Sequence, residues 1–236
     1  MSRVVAILLV LSGIAAVSPL AAQRRELTVL FGGTLTGASG DNLATTRARG
    51  GFAAGVSLRL PRSSQFSLET QALFVQRRLF GQRPATTAPP LAAGPLADAA
   101  SLSYLEVPIM LRFQRGYSMV RPVRPYLTVG PYAGVRLGCS REITESTGNR
   151  IKTDCTVAPG TFTPGSETFL PAVYQEVDVG LLAGLGVELR TLSFGVRFER
   201  SFRNLVESAG GVHTSPFDGA RLWTAMFSIE YLLRVI

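Results

Sequence analysis

Apolar and polar positions alternate with a period of two along most of this chain. Phe52, Ala54, Val56, Leu58 and Leu60 interleave with Gly51, Ala53, Gly55, Ser57 and Arg59. Leu105, Val107, Ile109, Leu111 and Phe113 interleave with Tyr104, Glu106, Pro108, Met110 and Arg112. The same rhythm runs through Leu127–Leu137, Val177–Leu189, Leu192–Glu199 and Trp223–Leu233, and more weakly through Leu27–Leu35 and Phe66–Arg77. Successive side chains of a strand point to opposite faces, so each stretch predicts a strand with one apolar face. Eight strands result, the even number that a single-chain bacterial membrane barrel requires.

Connection lengths carry a second signal. They run roughly Thr36–Arg49, Pro61–Gln65, Leu79–Ala100, Gln114–Val123, Gly138–Gln175, Arg190–Thr191 and Arg203–Gly219, long and short in turn. An up-and-down barrel with short periplasmic turns and long outer loops has this asymmetry. The predicted fold is therefore all-β: an eight-stranded antiparallel up-and-down transmembrane β-barrel.

The two faces differ in kind. One is nearly continuous Leu, Val, Phe and Ile, as a lipid-facing wall must be. The other sets Arg59, Glu69, Glu106, Arg112, Arg136, Asp178, Glu188, Arg197, Glu199 and Glu230 among glycines such as Gly130, Gly134, Gly180 and Gly184. Eight strands enclose barely enough room for side chains, so we expect a lumen packed with paired charges and no open pore. A soluble lipocalin-like carrier, with the apolar face inward, would have to wear an outer wall made largely of glycine. Leu73, Met110 and Leu182 interrupt the polar face, and Pro108 and Pro131 interrupt the ladders, where bulges are expected.

Charge and targeting agree with a membrane destination. Only 17% of the 236 residues are charged, below the roughly 25% of soluble domains. Apart from the N-terminus, no run reaches the ~18–20 apolar residues of a spanning helix. Met1–Arg3 is a short positive start, Val4–Val17 is apolar but for Ser12, and Ala21-Ala22 precede Gln23. This pattern marks residues 1–22 as a cleaved export signal and residues 23–236 as the barrel domain. Export places Cys139 and Cys155 in an oxidising compartment, where they are expected to form a disulfide. It would close a loop of about 15 residues and contribute about 3 kcal/mol, mainly by restricting the unfolded chain.

Several segments together carry a family resemblance. Tyr104–Phe113 (YLEVPIMLRF) resembles the signature strand of the PorT-like outer-membrane β-barrel family. Arg124–Gly134 and Asp178–Leu189 are similar to the strands that flank its large loop. Phe194–Leu205 is similar to its penultimate strand. The resemblance covers roughly Leu27 to the C-terminus. It implies a bacterial outer-membrane barrel inserted by the general barrel assembly machinery, and it implies no catalytic, cofactor or metal residue.

Chemical candidates are few. His213 and Ser215 lie two apart with Glu230 fifteen residues further on, an order resembling the outer-membrane lipid A deacylases. Yet Glu230 sits deep in a strand, roughly 25–30 Å from a loop histidine at ~3.3 Å per residue. An orienting carboxylate must reach its base, so enzyme function is not expected. Asp41, Asp98, Asp154 and Asp218 are scattered in loops, where acids usually cap turns or face water. The arginines are dispersed over strands and turns, which sets nucleic acid aside. Arginine suits bidentate phosphate contact, and Arg47, Arg49, Arg77, Arg78 and Arg83 at the outer rim could hold lipopolysaccharide phosphates. The open alternatives are a narrow channel and a lipid-modifying enzyme. Intact mass of the protein extracted from outer membranes should correspond to a chain that begins at Gln23; a mass retaining Met1–Ala22 would show an uncleaved anchor.

Overall fold

Strands form wherever the alternation predicts them, and each pairs with its sequence neighbours around a ring. The computed structural model of the chain describes residues 26–40, 45–61, 63, 65–82, 97–114, 123–144, 150–153, 155, 173–207, 217 and 219–234. In chain order the strands are β1 (Glu26–Ser39), β2 (Thr45–Pro61), β3 (Phe66–Gln82), β4 (Ala97–Gln114), β5 (Val123–Thr144), β6 (Arg150–Thr153), β7 (Val173–Tyr174), β8 (Val177–Leu189), β9 (Leu192–Asn204), β10 (Val206–Glu207) and β11 (Arg221–Arg234). The eight long ones form the ring β4-β3-β2-β1-β11-β9-β8-β5, and β4 pairs with β5 to close it. Every pairing is antiparallel, and the first strand meets the last over its whole length, from Glu26↔Arg234 to Ser39↔Arg221. Closure leaves no free strand edge in the wall, the condition for crossing hydrocarbon with strands.

The apolar face points outward on all eight strands. Phe31, Phe52, Phe66, Leu111, Leu127, Leu185, Phe198 and Ile229, one from each, are exposed, Phe31 to 63%. The alternate positions point inward and are buried, including Arg59, Glu69, Arg112, Glu188 and Glu230. Parity along each strand thus sorts charge from hydrocarbon, and a register slip of one residue would reverse it.

Pro108 and Pro131 do not produce the expected bulges. In an antiparallel ladder a residue aims both its N–H and its C=O at one neighbouring strand. Proline therefore removes a donor on one side only. The β3–β4 ladder skips from Thr70↔Ile109 to Leu73↔Glu106 without changing register, and the Thr70 hydroxyl donates to the Pro108 carbonyl at 3.2 Å. Pro131 stays paired with Leu181 of β8, while the β4–β5 ladder skips from Pro108↔Tyr132 to Leu111↔Val129. The register shifts lie elsewhere, between Ser103 and Tyr104 on β4, between Arg49 and Ala53 on β2, and between Arg221 and Trp223 on β11.

Several expected loops are mostly strand. β1 runs to Ser39 and β2 starts at Thr45, so most of the connection read over Thr36–Arg49 belongs to the wall. β3 continues to Gln82 and β4 begins at Ala97, and β6 turns back to pair with Arg141–Thr144 of β5. Beyond the bilayer the ladders continue in water, where side chains need not alternate in hydropathy. At the opposite end the turns are as short as expected. Leu189 pairs with Leu192, and Arg190 takes a positive φ of 49° between them, as tight hairpins demand.

Gly130 sits where the β4–β5 ladder is interrupted, and a Cβ there would strike the Ile109 carbonyl. Gly130→Ala should destabilise the barrel by about 1–3 kcal/mol, the usual cost of overpacking. Gly33 has nothing within 4 Å of a built Cβ, and Gly33→Ala should change little. Thermal loss of the compact, fast-migrating band on gels compares the two; equal behaviour would contradict the close approach at Gly130.

Candidate functional site

Charged residues from all eight long strands meet inside the ring in three tiers. Nearest the short turns, Arg59 on β2 and Arg112 on β4 share the carboxylates of Glu69 and Glu188. Arg59 Nη1 lies 2.9 Å from Glu188 Oε2, and Arg112 Nη2 lies 2.9 Å from the same oxygen. Glu69 stands 3.3 Å from Arg112 and also accepts hydrogen bonds from Ser57 at 2.9 Å and Gln71 at 2.7 Å. Glu26 on β1 closes on Arg59 at 2.9 Å, and Glu230 on β11 faces Arg112 at 4.0 Å. The Arg112 guanidinium carbon rests 3.4 Å from the centroid of the Tyr126 ring.

Arg77 on β3 centres the middle tier and is fully buried. Its guanidinium meets Glu106 at 2.6 Å, Asp178 at 2.5 Å and Glu199 at 3.0 Å, from β4, β8 and β9 respectively. Tyr104 and Tyr132 flank it, their ring centroids 5.2 and 5.7 Å from its carbon. The Tyr132 and Ser201 hydroxyls donate to Asp178 at 3.1 and 2.5 Å. Arg197 on β9 ties this tier to the first, pairing with Glu199 at 3.0 Å and donating to Gln71 at 2.7 Å. Leu30, Leu73, Val75 and Met226 fill space beside the charges, as do Met110 and Leu182. A cavity of about 20 Å³ remains between Arg112, Arg197, Ser228 and Glu230. That is room for one water, not for a continuous aqueous path.

The third tier seals the loop end. Asp98 on β4 accepts from Arg141 Nε on both oxygens at 3.0 and 2.9 Å, and from the Tyr174 hydroxyl at 3.2 Å. Burial acts to lower the Arg141 pKa, but the hydrogen bonds to Asp98 and the electrostatic attraction of Tyr174 and Asp98 together outweigh it and raise it above the ordinary guanidinium value. Tyr174 belongs to β7, which pairs with β10 beyond the loop ends of β8 and β9, and its carbonyl accepts from Arg136 at 2.7 Å. With Tyr174 and Val206, Leu79, Leu102, Leu205, Phe217 and Leu222 pack into a buried apolar cap. The expected disulfide is present: Cys139 bonds to Cys155, with Cα atoms 5.6 Å apart, and Cys155 is part of the cap.

Strand parity had singled out ten of these charges; the structure brings nine of them into the two inner tiers and sets Arg136 against the Tyr174 carbonyl in the third. Two expectations are corrected. Arg77 is not a rim residue; it shares the inward parity of Glu69, Gln71, Leu73 and Val75 on β3 and lies in the middle tier. Asp98 is not a solvated loop acid; β4 begins before it and turns it inward onto Arg141. Arg47, Arg49 and Arg78 are exposed on the outer wall. Asp41, Arg83, Asp154, His213, Ser215 and Asp218, and the signal segment 1–22, lie outside the described residues. Arg141 and Tyr174 went unread because neither sits in an alternating stretch of apolar residues. Only the pairing of β4 with β5, and of β7 with β10, places them.

A closed ring with hydrocarbon outside and paired charge inside defines a bacterial outer-membrane β-barrel. The chain belongs to the outer membrane protein beta-barrel domain family, whose model matches residues 21–207. No curated protein matches it. Among solved structures it is similar to the outer membrane protein OprG from Pseudomonas aeruginosa, at 10% identity over 90% of this chain and 97% of that one, with a TM-score of 0.50. It is also similar to Ail of Yersinia pestis in complex with the heparin analogue sucrose octasulfate, at 11% identity over 89% and 99%, with a TM-score of 0.40. Neisserial surface protein A follows at 10% identity over 87% and 96%, with a TM-score of 0.39. At these identities the likeness concerns the fold alone.

Arg77→Met would strand three carboxylates in a dry interior and should cost about 3–5 kcal/mol, as breaking buried ion pairs does. Glu142→Gln removes only the exposed pair with Arg150 at 3.6 Å and should cost under about 1 kcal/mol. Urea unfolding in lipid vesicles measures both, and equal losses would refute the central place of Arg77.

Proposed function

We propose that the protein is a non-enzymatic outer-membrane barrel with a structural, surface-binding or secretion-accessory role, and that its lumen transports nothing. The observation that carries this reading is the buried Arg77, bound at once to carboxylates from three other strands. A cation so held crosslinks the wall through its centre, and moving it aside would leave three charges unpaired. The apolar cap supports the same reading at the loop end, which in an up-and-down barrel faces out of the cell. Work of this kind falls to the outer wall and the exposed loops. Within its family we place the chain with the PorT-like members, on the strands Tyr104–Phe113 and Arg124–Gly134. Its partners in this reading are the barrel assembly machinery during insertion and outer-membrane lipid afterwards, including lipopolysaccharide phosphates. Residues 1–22 serve as the cleaved export signal.

Planar-bilayer recording should give no unitary current from the purified barrel, and expression should leave the acyl chains of lipid A unchanged by mass. Discrete current steps would favour the channel alternative, and loss of an acyl chain the enzyme alternative. Glu106→Arg separates them further: it should unfold a packed barrel but only shift ion selectivity in a channel.

A further inference from the structure

Arg49, Arg78 and Lys152 make no ion pair with a carboxylate among the described residues and stand close together on the outer wall. Arg49 on β2 and Arg78 on β3 are direct cross-strand partners, both exposed and both on the outward face. Like charges set opposite each other across a ladder repel, so this pair gains from an anion between them. The row continues through Ser101 on β4 and Ser140 on β5. One step further toward the loops, Lys152 on β6 stands beside Glu142 of β5. Glu142 is already engaged by Arg150, and Arg49 is steadied 4.9 Å over the Phe80 ring. Arg49, Arg78, Ser101, Ser140, Glu142 and Lys152 line a groove of about 610 Å³, left open by the small side chains on its floor.

The level of the groove names its occupant. Phe52 and Leu137, the last exposed apolar residues below it on β2 and β5, lie three positions nearer the membrane than Arg49 and Ser140. At ~3.3 Å per residue on a strand tilted about 45°, the row stands roughly 7 Å beyond the hydrocarbon edge, within the headgroup layer.

We infer that this groove is a binding site for a phosphate group carried by an outer-leaflet glycolipid. The two arginines fork onto its oxygens, the serine hydroxyls donate to it and Lys152 balances its second charge. The inference rests on the barrel standing in the outer membrane as proposed above. Acyl chains below the phosphate would lie against Phe52, Val56 and Leu137.

Native mass spectrometry of the detergent-solubilised full chain tests it, with bisphosphorylated lipid A, the same lipid stripped of phosphate, and inorganic phosphate as probes. Bisphosphorylated lipid A should bind as a single copy, with the dephosphorylated lipid weaker by about tenfold or more. Arg49→Gln/Arg78→Gln should lose a similar factor, while Arg203→Gln on the far wall binds normally. Equal binding of the two lipids, or unchanged binding by the double variant, would overturn the site. Displacement of the lipid by inorganic phosphate alone would overturn the lipid-borne assignment. Heat modifiability shows that each variant is folded. Bilayer current, recorded without added lipid A, reports on the closed lumen, so failure of that reading is seen separately.

Discussion

Charge neutralisation inside a closed ring is the constraint from which the rest of this structure follows. Taking a carboxylate or a guanidinium out of water costs several kcal/mol, and only close, multiply bonded partners return it. Here three of the buried arginines are each shared by several acids: Arg59 and Arg112 bracket Glu69 and Glu188, and Arg77 holds Glu106, Asp178 and Glu199. The partners come from different strands, so satisfying the charges also fixes the register of strands that never touch edge to edge. Asp178 on β8 and Arg77 on β3 stand far apart around the ring, and the ion pair spans the lumen between them.

Lipid imposes the complementary condition on the other side of the same strands. Every residue of one parity must be acceptable to hydrocarbon, and every residue of the other must find a polar partner or fit a small gap. Leu30, Leu73, Met110 and Leu182 show how the second condition is met where charges run out: apolar side chains fill the lumen beside the ion pairs. The prolines fit the same wall because each withholds a donor from one ladder and leaves the other whole. The barrel therefore tolerates them without altering which residues face lipid.

At the loop end the hydrocarbon constraint disappears, and so does the pattern that made the strands readable. Arg47, Arg49 and Arg78 belong to strands that stay paired beyond the bilayer, yet their segments alternate in no obvious way. What organises this region is pairing with neighbours: β6 on β5, β7 with β10, and Tyr174 on Asp98. Such contacts join residues 76 positions apart in the chain, and no local spacing announces them. The disulfide was the exception, since two cysteines in an exported chain leave a single intramolecular pairing.

The sequence by itself determined the strands, their even number and the face each presents to lipid, because hydrocarbon acts on every alternate residue and writes its demand at period two. It determined the charge-filled lumen as well, because ten charges on the inward parity of seven of the strands have nowhere else to be neutralised. Tertiary structure alone decided which acid meets which base, that Arg77 and Asp98 turn inward, and how Tyr174 and the apolar cap are held at the loop end. Those outcomes depend on register and ring closure, which bring together residues remote in the chain, and period-two hydropathy carries no record of distance across a barrel.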